Sequence, residues 1–156
     1  MLVYFLRHAE AESARGNDSL RMLTAKGLEQ SNKAGAFLAR YGLVPDVVIS
    51  SPLVRARQTA KIVVKSVGSP GMIEAAWLSC GMSLETCLEE LGAYAQMGSV
   101  MLVGHEPDFS NAISGLLGLP ESDALRVRKA SLTGIDLPIL QAGGGCLQFF
   151  VPARLM

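Results

Sequence analysis

The chain has 156 residues, of which 49% are hydrophobic and 18% charged, and this composition predicts one folded domain spanning residues 1–156. Its 14 basic and 14 acidic residues cancel, so no overall field is expected to recruit nucleic acid or an anionic membrane. The apolar runs are far shorter than the roughly 18 residues that span a bilayer, and MLVYFL lacks the features of a signal peptide. Three cysteines without a CxxC spacing predict a reducing cytoplasm, and no Cys/His metal spacing is recognisable.

Short apolar segments alternate with helical patterns along the chain. The segments predict strands at 1–6, 46–50, 99–103, 132–137 and 146–151. One helix is predicted over 25–41, with a stripe of Leu28, Ala34, Phe37, Leu38 and Tyr41, and another over 83–96 after an N-cap at Ser83. Residues 68–82 are rich in Gly, Ser and Met and receive no assignment. The alternation predicts an α/β domain, with a largely parallel central sheet and helices on both faces.

The first predicted strand ends abruptly in two polar residues, within the stretch LRHAE. Arg7 and His8 follow six apolar or aromatic residues that are typical of a strand buried on both faces. Such a strand delivers the chain to a loop at the carboxyl edge of the sheet, where open α/β sheets bind ligands. Arg7 and His8 are therefore candidate site residues.

The second strand ends in the same way, in VVISSPLVRARQTA. Ser51 is a suitable N-cap and Pro52 a suitable first helical residue, so Arg55 is expected in the first turn of a helix. The helix N-terminus there already favours negative charge. Arg57 is expected to point to solvent.

A third strand ends in SVMLVGHEPDFS. Gly104 permits a tight turn, His105 follows it, and Pro107 opens a helix. The only two histidines of the chain thus both come directly after a buried strand.

The sequence accordingly places Arg7, His8, Arg55 and His105 at one edge of the predicted sheet. Cationic groups that converge repel one another unless an anion neutralises them. A phosphoryl group meets that demand, because arginine binds its oxygens in a bidentate fashion. A neutral imidazole attacks phosphorus directly if one ring nitrogen faces the substrate while a backbone carbonyl holds the other.

The segments LRHAE, SPLVRARQTA and VGHEP resemble the signature segments of the histidine phosphatase superfamily, whose fold is shared with phosphoglycerate mutases. Small size and the stretch SLRMLTAKG make the chain similar to the SixA-type phosphohistidine phosphatases. The resemblance implies that His8 is the nucleophile, that Arg7, Arg55 and His105 form the phosphate pocket, and that the reaction passes through a phosphohistidine. It implies no metal and no other cofactor.

The chain departs from the superfamily pattern at the carboxylate that acts as the general acid. Larger members place a carboxylate in the central segment to protonate an alkoxide leaving group. The corresponding stretch here, AAWLSCGMS, contains no Asp or Glu, and the nearest candidates are Glu74, Glu85 and Glu106. An imidazole leaving group can take its proton from solvent beforehand, so the sequence favours phosphohistidine, carried by a signalling protein, as the substrate.

Weaker predictions concern the surroundings of the pocket. Arg21 is expected either to help steer a phosphorylated protein or to be a solvated loop arginine, and Ser51 either to donate to phosphate or to cap its helix. The RVRK run at 126–129 is expected to be a solvated turn, with a docking surface as the alternative. Two other functions stay open: a phosphomonoesterase or mutase for a small metabolite, and an inactive phosphate-binding module. Binding alone would not need a nucleophile at His8.

Overall fold

The computed structural model describes residues 1–13, 16–69, 71–120 and 125–156. Its strands are β1 (Leu2–Arg7), β2 (Val47–Ser50), β3 (Met72–Glu74), β4 (Ser99–Gly104), β5 (Leu132–Asp136) and β6 (Cys146–Val151). Its helices are α1 (Ala25–Arg40), α2 (Val54–Val67), α3 (Leu84–Gly92) and α4 (Asp108–Leu116), and short 3₁₀ turns cover Asp18–Leu20, Ala76–Leu78 and Ala153–Leu155. The five strands that the sequence predicts are all present.

The six strands form one sheet in the order β3-β2-β4-β1-β5-β6. The pairs β2–β3, β2–β4 and β1–β4 are parallel, whereas β5 and β6 are antiparallel additions at one side. The α/β fold with a largely parallel sheet is therefore confirmed.

Helices cover both faces of the sheet, and the residues of each central strand alternate between the two hydrophobic clusters on those faces. Val3 and Phe5 of β1 belong to the cluster that contains the buried residues of α3 and α4. Tyr4 and Leu6 belong to the opposite cluster, which contains those of α1 and α2. This alternation follows from the two-residue period of a strand, and it places the loops after β1, β2 and β4 at one edge between the two helical layers.

The helices differ from the predicted ones in a few particulars. Ser83 caps α3 as predicted and accepts a hydrogen bond from the Thr86 backbone N–H at 3.2 Å, but the helix ends at Gly92. On α1 the predicted stripe is partly wrong, because Leu28 and Tyr41 are 43% and 58% exposed. The buried face of α1 is instead made of small residues and Leu38: Gly27, Ser31, Ala34, Gly35 and Leu38. A Cβ on Gly35 would overlap the Ser66 side chain of α2, so small residues let the two helices approach closely.

Across the four described stretches of chain, no helix is long and apolar enough to cross a membrane.

Candidate active site

Three neighbouring strands end together at one edge of the sheet. Arg7 at the end of β1 lies opposite Gly104 at the end of β4, and the backbone N–H of His8 donates to the Gly104 carbonyl at 3.0 Å. The backbone N–H of Ser51, directly after β2, donates to the Val103 carbonyl at 2.9 Å. The parallel register thus brings the segments with Arg7, His8, Ser51 and His105 to one place, as the sequence predicts.

His8 is buried, with 6% of its surface exposed, and both of its ring nitrogens are engaged. Nδ1 lies 2.7 Å from the Ala9 carbonyl oxygen, and Nε2 lies 3.2 Å from Arg55 Nε. Because an arginine N–H can only donate, Nε2 is the acceptor and Nδ1 carries the proton. Burial, together with the smaller effects of the nearby His105, Arg55 and Arg7, lowers the pKa of His8 to about 3, although the hydrogen bond to the Ala9 carbonyl opposes this shift. At neutral pH His8 is therefore an uncharged imidazole whose Nε2 lone pair faces Arg55.

Arg55 lies in the first turn of α2, as predicted, and only 2% of its surface is exposed. Besides contacting His8, its guanidinium donates to the backbone carbonyl of Asp18 at 2.9 Å and pairs with the Asp18 carboxylate at 3.1 Å. Thr59, one turn later, accepts a hydrogen bond from the Ala9 backbone N–H at 3.1 Å, and this bond ties the loop after β1 to α2. The helix and the loop thereby hold Arg55 and His8 in a fixed relation.

His105 follows β4 and is also buried, with 2% of its surface exposed. Its Nε2 lies 2.7 Å from Ser51 Oγ, and its ring centroid lies 5.1 Å from that of His8. Its Nδ1 is buried and has no hydrogen-bond partner within the described residues. Burial and, to a smaller extent, the Arg55 guanidinium together lower the pKa of His105 to about 4.

Arg7 completes the group. Its Nη1 donates to the Val127 carbonyl at 2.8 Å, while its Nε is buried without a partner in the part of the chain that the structure describes. Burial lowers the pKa of Arg7, an effect that the Glu106 carboxylate opposes, but a guanidinium stays charged in proteins. The site thus contains two buried nitrogens, Arg7 Nε and His105 Nδ1, that have no hydrogen-bond partner among the described residues. An oxyanion with several acceptor oxygens can satisfy such groups, because leaving a buried donor unpaired costs about 1–3 kcal/mol.

Ser51 and Arg21 both lie near the site, but Ser51 does not have the capping role that the sequence offers for it. Ser51 does not cap α2, because the helix begins at Val54 with Leu53 in the N-cap position. The Ser51 hydroxyl instead contacts His105, and it also accepts a hydrogen bond from the Leu53 backbone N–H at 3.3 Å. Arg21 lies beside the site through an ion pair of 2.7 Å with Asp18.

Asp18 was not predicted, yet it is the carboxylate that touches Arg55. It lies in the 3₁₀ turn Asp18–Leu20, and 52% of its side chain is exposed. Burial raises the pKa of Asp18, but the guanidinium groups of Arg55 and Arg21 outweigh that effect and hold the pKa below its ordinary value. Asp18 is therefore an anion at neutral pH and has no proton to donate. Its only signal in the sequence is its place three residues before Arg21 in DSLR.

Of the three carboxylates that the sequence offers as acids, two are engaged by other groups and the third is exposed. Glu74 pairs with Arg57 at 3.3 Å. The prediction that Arg57 points to solvent is therefore only partly right, because its side chain is 38% exposed but is held by Glu74. Glu106 accepts a hydrogen bond from the backbone N–H of Val127 at 3.0 Å and two more from Ser110. Glu85 is exposed in the first turn of α3.

Cysteine side chains contribute one contact to the site. Cys80, in the segment that received no assignment, has its Sγ 3.9 Å from Arg55 Nη2. Cys80, Cys87 and Cys146 are free thiols. Among the described residues, no three His, Cys, Asp or Glu side chains cluster in a way that could hold a metal ion.

Comparison with known proteins places this geometry in a family. The family model of the histidine phosphatase superfamily (branch 1) matches residues 3–79. An uncharacterised protein of Picosynechococcus sp. is 30% identical over 139 residues, which cover 86% of this chain and 84% of that relative. The chain belongs to the histidine phosphatase superfamily. The matched segment contains His8, Arg7 and Arg55, and the resemblance drawn from the sequence is confirmed.

Two further similarities concern the overall fold and one segment of the chain. Its fold is similar to that of the protein histidine phosphatase SixA in complex with tungstate, with a TM-score of 0.88, 22% identity and coverage of 99% of this chain and 98% of SixA. A segment is also 43% identical, over 51 residues, to the 2,3-bisphosphoglycerate-dependent phosphoglycerate mutase of Rhizobium johnstonii. That segment covers 33% of this chain but only 24% of the mutase. The similarity to SixA thus extends over the whole fold, and that to the mutase over a fraction of it.

Proposed function

We propose that this protein is a phosphohistidine phosphatase in which His8 is the nucleophile and Arg7, Arg55 and His105 bind the phosphoryl group. One observation carries the proposal: His8 is held as a neutral imidazole, with Nδ1 donating to the Ala9 carbonyl and Nε2 directed at Arg55. An unprotonated Nε2 is the atom that attack on phosphorus requires. The superfamily membership and the tungstate bound by SixA support the proposal, because tungstate is a tetrahedral oxyanion like phosphate.

The proposed reaction has two displacements at phosphorus. In the first, the Nε2 lone pair of His8 leaves its hydrogen bond with Arg55 Nε and forms a bond to phosphorus while the bond from phosphorus to the substrate nitrogen breaks. The substrate imidazole leaves in neutral form, with the proton that its other ring nitrogen already carries. In the second, water attacks the phosphorus of phosphorylated His8 and gives up a proton to solvent while the bond from phosphorus to Nε2 breaks, which releases inorganic phosphate and the neutral His8 imidazole. The Nδ1–H bond to Ala9 holds the ring in line in both steps. Arg7 and Arg55 stabilise the charge on the equatorial oxygens, the main demand of phosphoryl transfer.

The proposed substrate class follows from the absence of a proton donor among the described carboxylates at the site. Asp18 touches Arg55, but it is held as an anion by two guanidinium groups. An alkoxide would then leave without a proton, whereas the imidazole of phosphohistidine can carry its proton in advance. We therefore assign phosphohistidine in a histidine-phosphorylated signalling protein as the preferred substrate. The segment shared with a phosphoglycerate mutase favours phosphate monoesters of small metabolites as the second candidate.

A leaving-group series tests this proposal. General acid catalysis contributes about 10²–10⁴-fold, so kcat/KM for phosphohistidine should exceed that for alkyl phosphates by at least about a hundredfold. Aryl phosphates should fall between the two, and the rate should decline steeply as the pKa of the leaving group rises. Alkyl phosphates hydrolysed as fast as phosphohistidine would favour the phosphomonoesterase. Binding of phosphate without turnover of any substrate in the series would favour a phosphate-binding module.

A further inference from the structure

Outside the proposed phosphate pocket, a cavity of about 480 Å³ opens beside Arg7, and its lining is strongly basic. Gln30, Pro152 and Ala153 form part of its wall. The wall also contains four cationic side chains besides Arg7: Arg126, Arg128, Lys129 and Arg154. We call these four cationic residues and the cavity between them the basic groove. The whole chain has 14 basic and 14 acidic residues, so this concentration of positive charge is local. Arg7 also lines the cavity, so the basic groove adjoins the proposed phosphate pocket.

The backbone of the groove is part of the frame of the active site. Val127 is buried, and its carbonyl accepts the hydrogen bond from Arg7 Nη1 at 2.8 Å. Its N–H donates to Glu106 at 3.0 Å, and the N–H of Ala130 donates to the carbonyl of Arg7 at 3.1 Å. Since Val127 points inward, its neighbours Arg126 and Arg128 are exposed on the outside. The same contacts that position Arg7 therefore also fix the backbone that carries Arg126, Arg128 and Lys129 next to it.

The positive charge of the groove is not neutralised within the described residues. None of its four cations lies within 4.0 Å of a carboxylate there, whereas Arg21, Arg55, Arg57, Lys26 and Lys33 all form such pairs. Lys26 and, more weakly, Lys129 lower the pKa of Glu10, but the Glu10 carboxylate is paired with Lys26 at 3.3 Å. Like charges that share a concave surface repel one another, and an anionic partner would relieve that repulsion.

We infer that the basic groove docks an acidic stretch of the phosphorylated protein and so directs its phosphohistidine to His8. This inference rests on the proposed function and specifies the kind of partner that it takes. Arg128, Lys129 and Arg154 are exposed, so each attracts an anion only weakly through water. Exposed charges acting together accelerate the encounter with an oppositely charged surface, whereas tight capture of a small anion needs desolvated donors. The groove is therefore built for an acidic protein surface.

The test compares two short peptides that each contain one chemically phosphorylated histidine. One peptide has Asp and Glu around the phosphohistidine, and the other has Asn and Gln at the same positions. kcat/KM is measured for both peptides and for 4-nitrophenyl phosphate, which has no peptide chain to contact the groove. The groove variant is Arg128→Gln/Lys129→Gln/Arg154→Gln. The matched control, Arg40→Gln/Lys61→Gln/Lys65→Gln, removes three exposed positive charges from α1 and α2.

The groove variant should lose about tenfold in kcat/KM for the acidic peptide at low ionic strength. The neutral peptide, 4-nitrophenyl phosphate and the control variant should change less than twofold. Salt should remove the difference between the peptides, because the screening length falls from about 30 Å at 0.01 M to about 3 Å at 1 M. Equal rates for the two peptides would overturn the groove inference and leave the proposed function intact. An equal loss with 4-nitrophenyl phosphate would place these cations in the phosphate pocket and overturn docking. Hydrolysis of 4-nitrophenyl phosphate but of neither peptide would instead reject the proposed function.

Discussion

Acidification from pH 7 to pH 5 should destabilise the folded protein through His8 and His105. Both are buried, and burial lowers their pKa values to about 3 and about 4. In the unfolded chain a histidine titrates near pH 6.5, so the unfolded state binds more protons as the pH falls below that value. Stability is therefore fully present above about pH 6.5 and is lost as the pH falls towards the folded-state values. Over the interval from pH 7 to pH 5, each histidine should cost the folded state about 2 kcal/mol, or about 4 kcal/mol together.

Urea unfolding at pH 7, 6 and 5 in a buffer without phosphate or sulfate measures this loss. Oxyanions are left out because a ligand that binds only the folded state would add its own stabilisation. Since the chain has only two histidines, His8→Asn and His105→Asn should each halve the pH dependence, and the double variant should nearly abolish it. A free energy of unfolding that stays constant from pH 7 to pH 5 in the unsubstituted protein would refute the reasoning. Both histidines would then be as free to take up protons in the folded state as in the unfolded state.

Two other substitutions test particular contacts. Asp18→Asn removes the carboxylate that pairs with Arg55 at 3.1 Å and competes with an oxyanion, so the Kd for tungstate measured by calorimetry should fall severalfold. A weaker affinity would show that Asp18 positions Arg55 for binding. Gly27→Ala places a Cβ against the carbonyl group of Glu10, 2.9 Å from its carbon, and should destabilise the fold by about 1–3 kcal/mol in urea unfolding. The control Gly92→Ala, whose Cβ meets nothing nearer than 3.8 Å, should be nearly neutral, and equal losses in both variants would contradict the packing argument.

The positions of the candidate site residues could be predicted because simple rules determine them. Arg7 ends a buried strand, His8 and His105 directly follow one, and parallel strands end at the same edge of a sheet. Arg55 could be placed because Pro52 marks the approach to a helix, although α2 begins two residues later than predicted, at Val54. Strand order was not needed for this result, since all three strands point in the same direction.

The residues that the sequence did not reveal lie where no periodic pattern exists. Asp18 reaches Arg55 from a 3₁₀ turn of three residues, too short to show a repeat. Cys80 follows β3, a strand of only three residues that ends in the charged Glu74. On α1, Leu28 and Tyr41 match a helical stripe but are exposed, because contact with α2 through Gly35 rotates the buried face towards small residues. In each case a tertiary contact decided the position.

Trapping of the phosphorylated enzyme tests the central claim most directly. A radiolabelled phosphohistidine peptide is mixed with enzyme, the reaction is quenched in alkali within the first turnover, and the labelled residue is located by mass spectrometry. Our account predicts a label that is stable to base, labile to acid and attached to His8, and it predicts neither label nor turnover in His8→Ala. Label on another residue, or turnover of the peptide by His8→Ala at a rate near that of the unsubstituted protein, would contradict it.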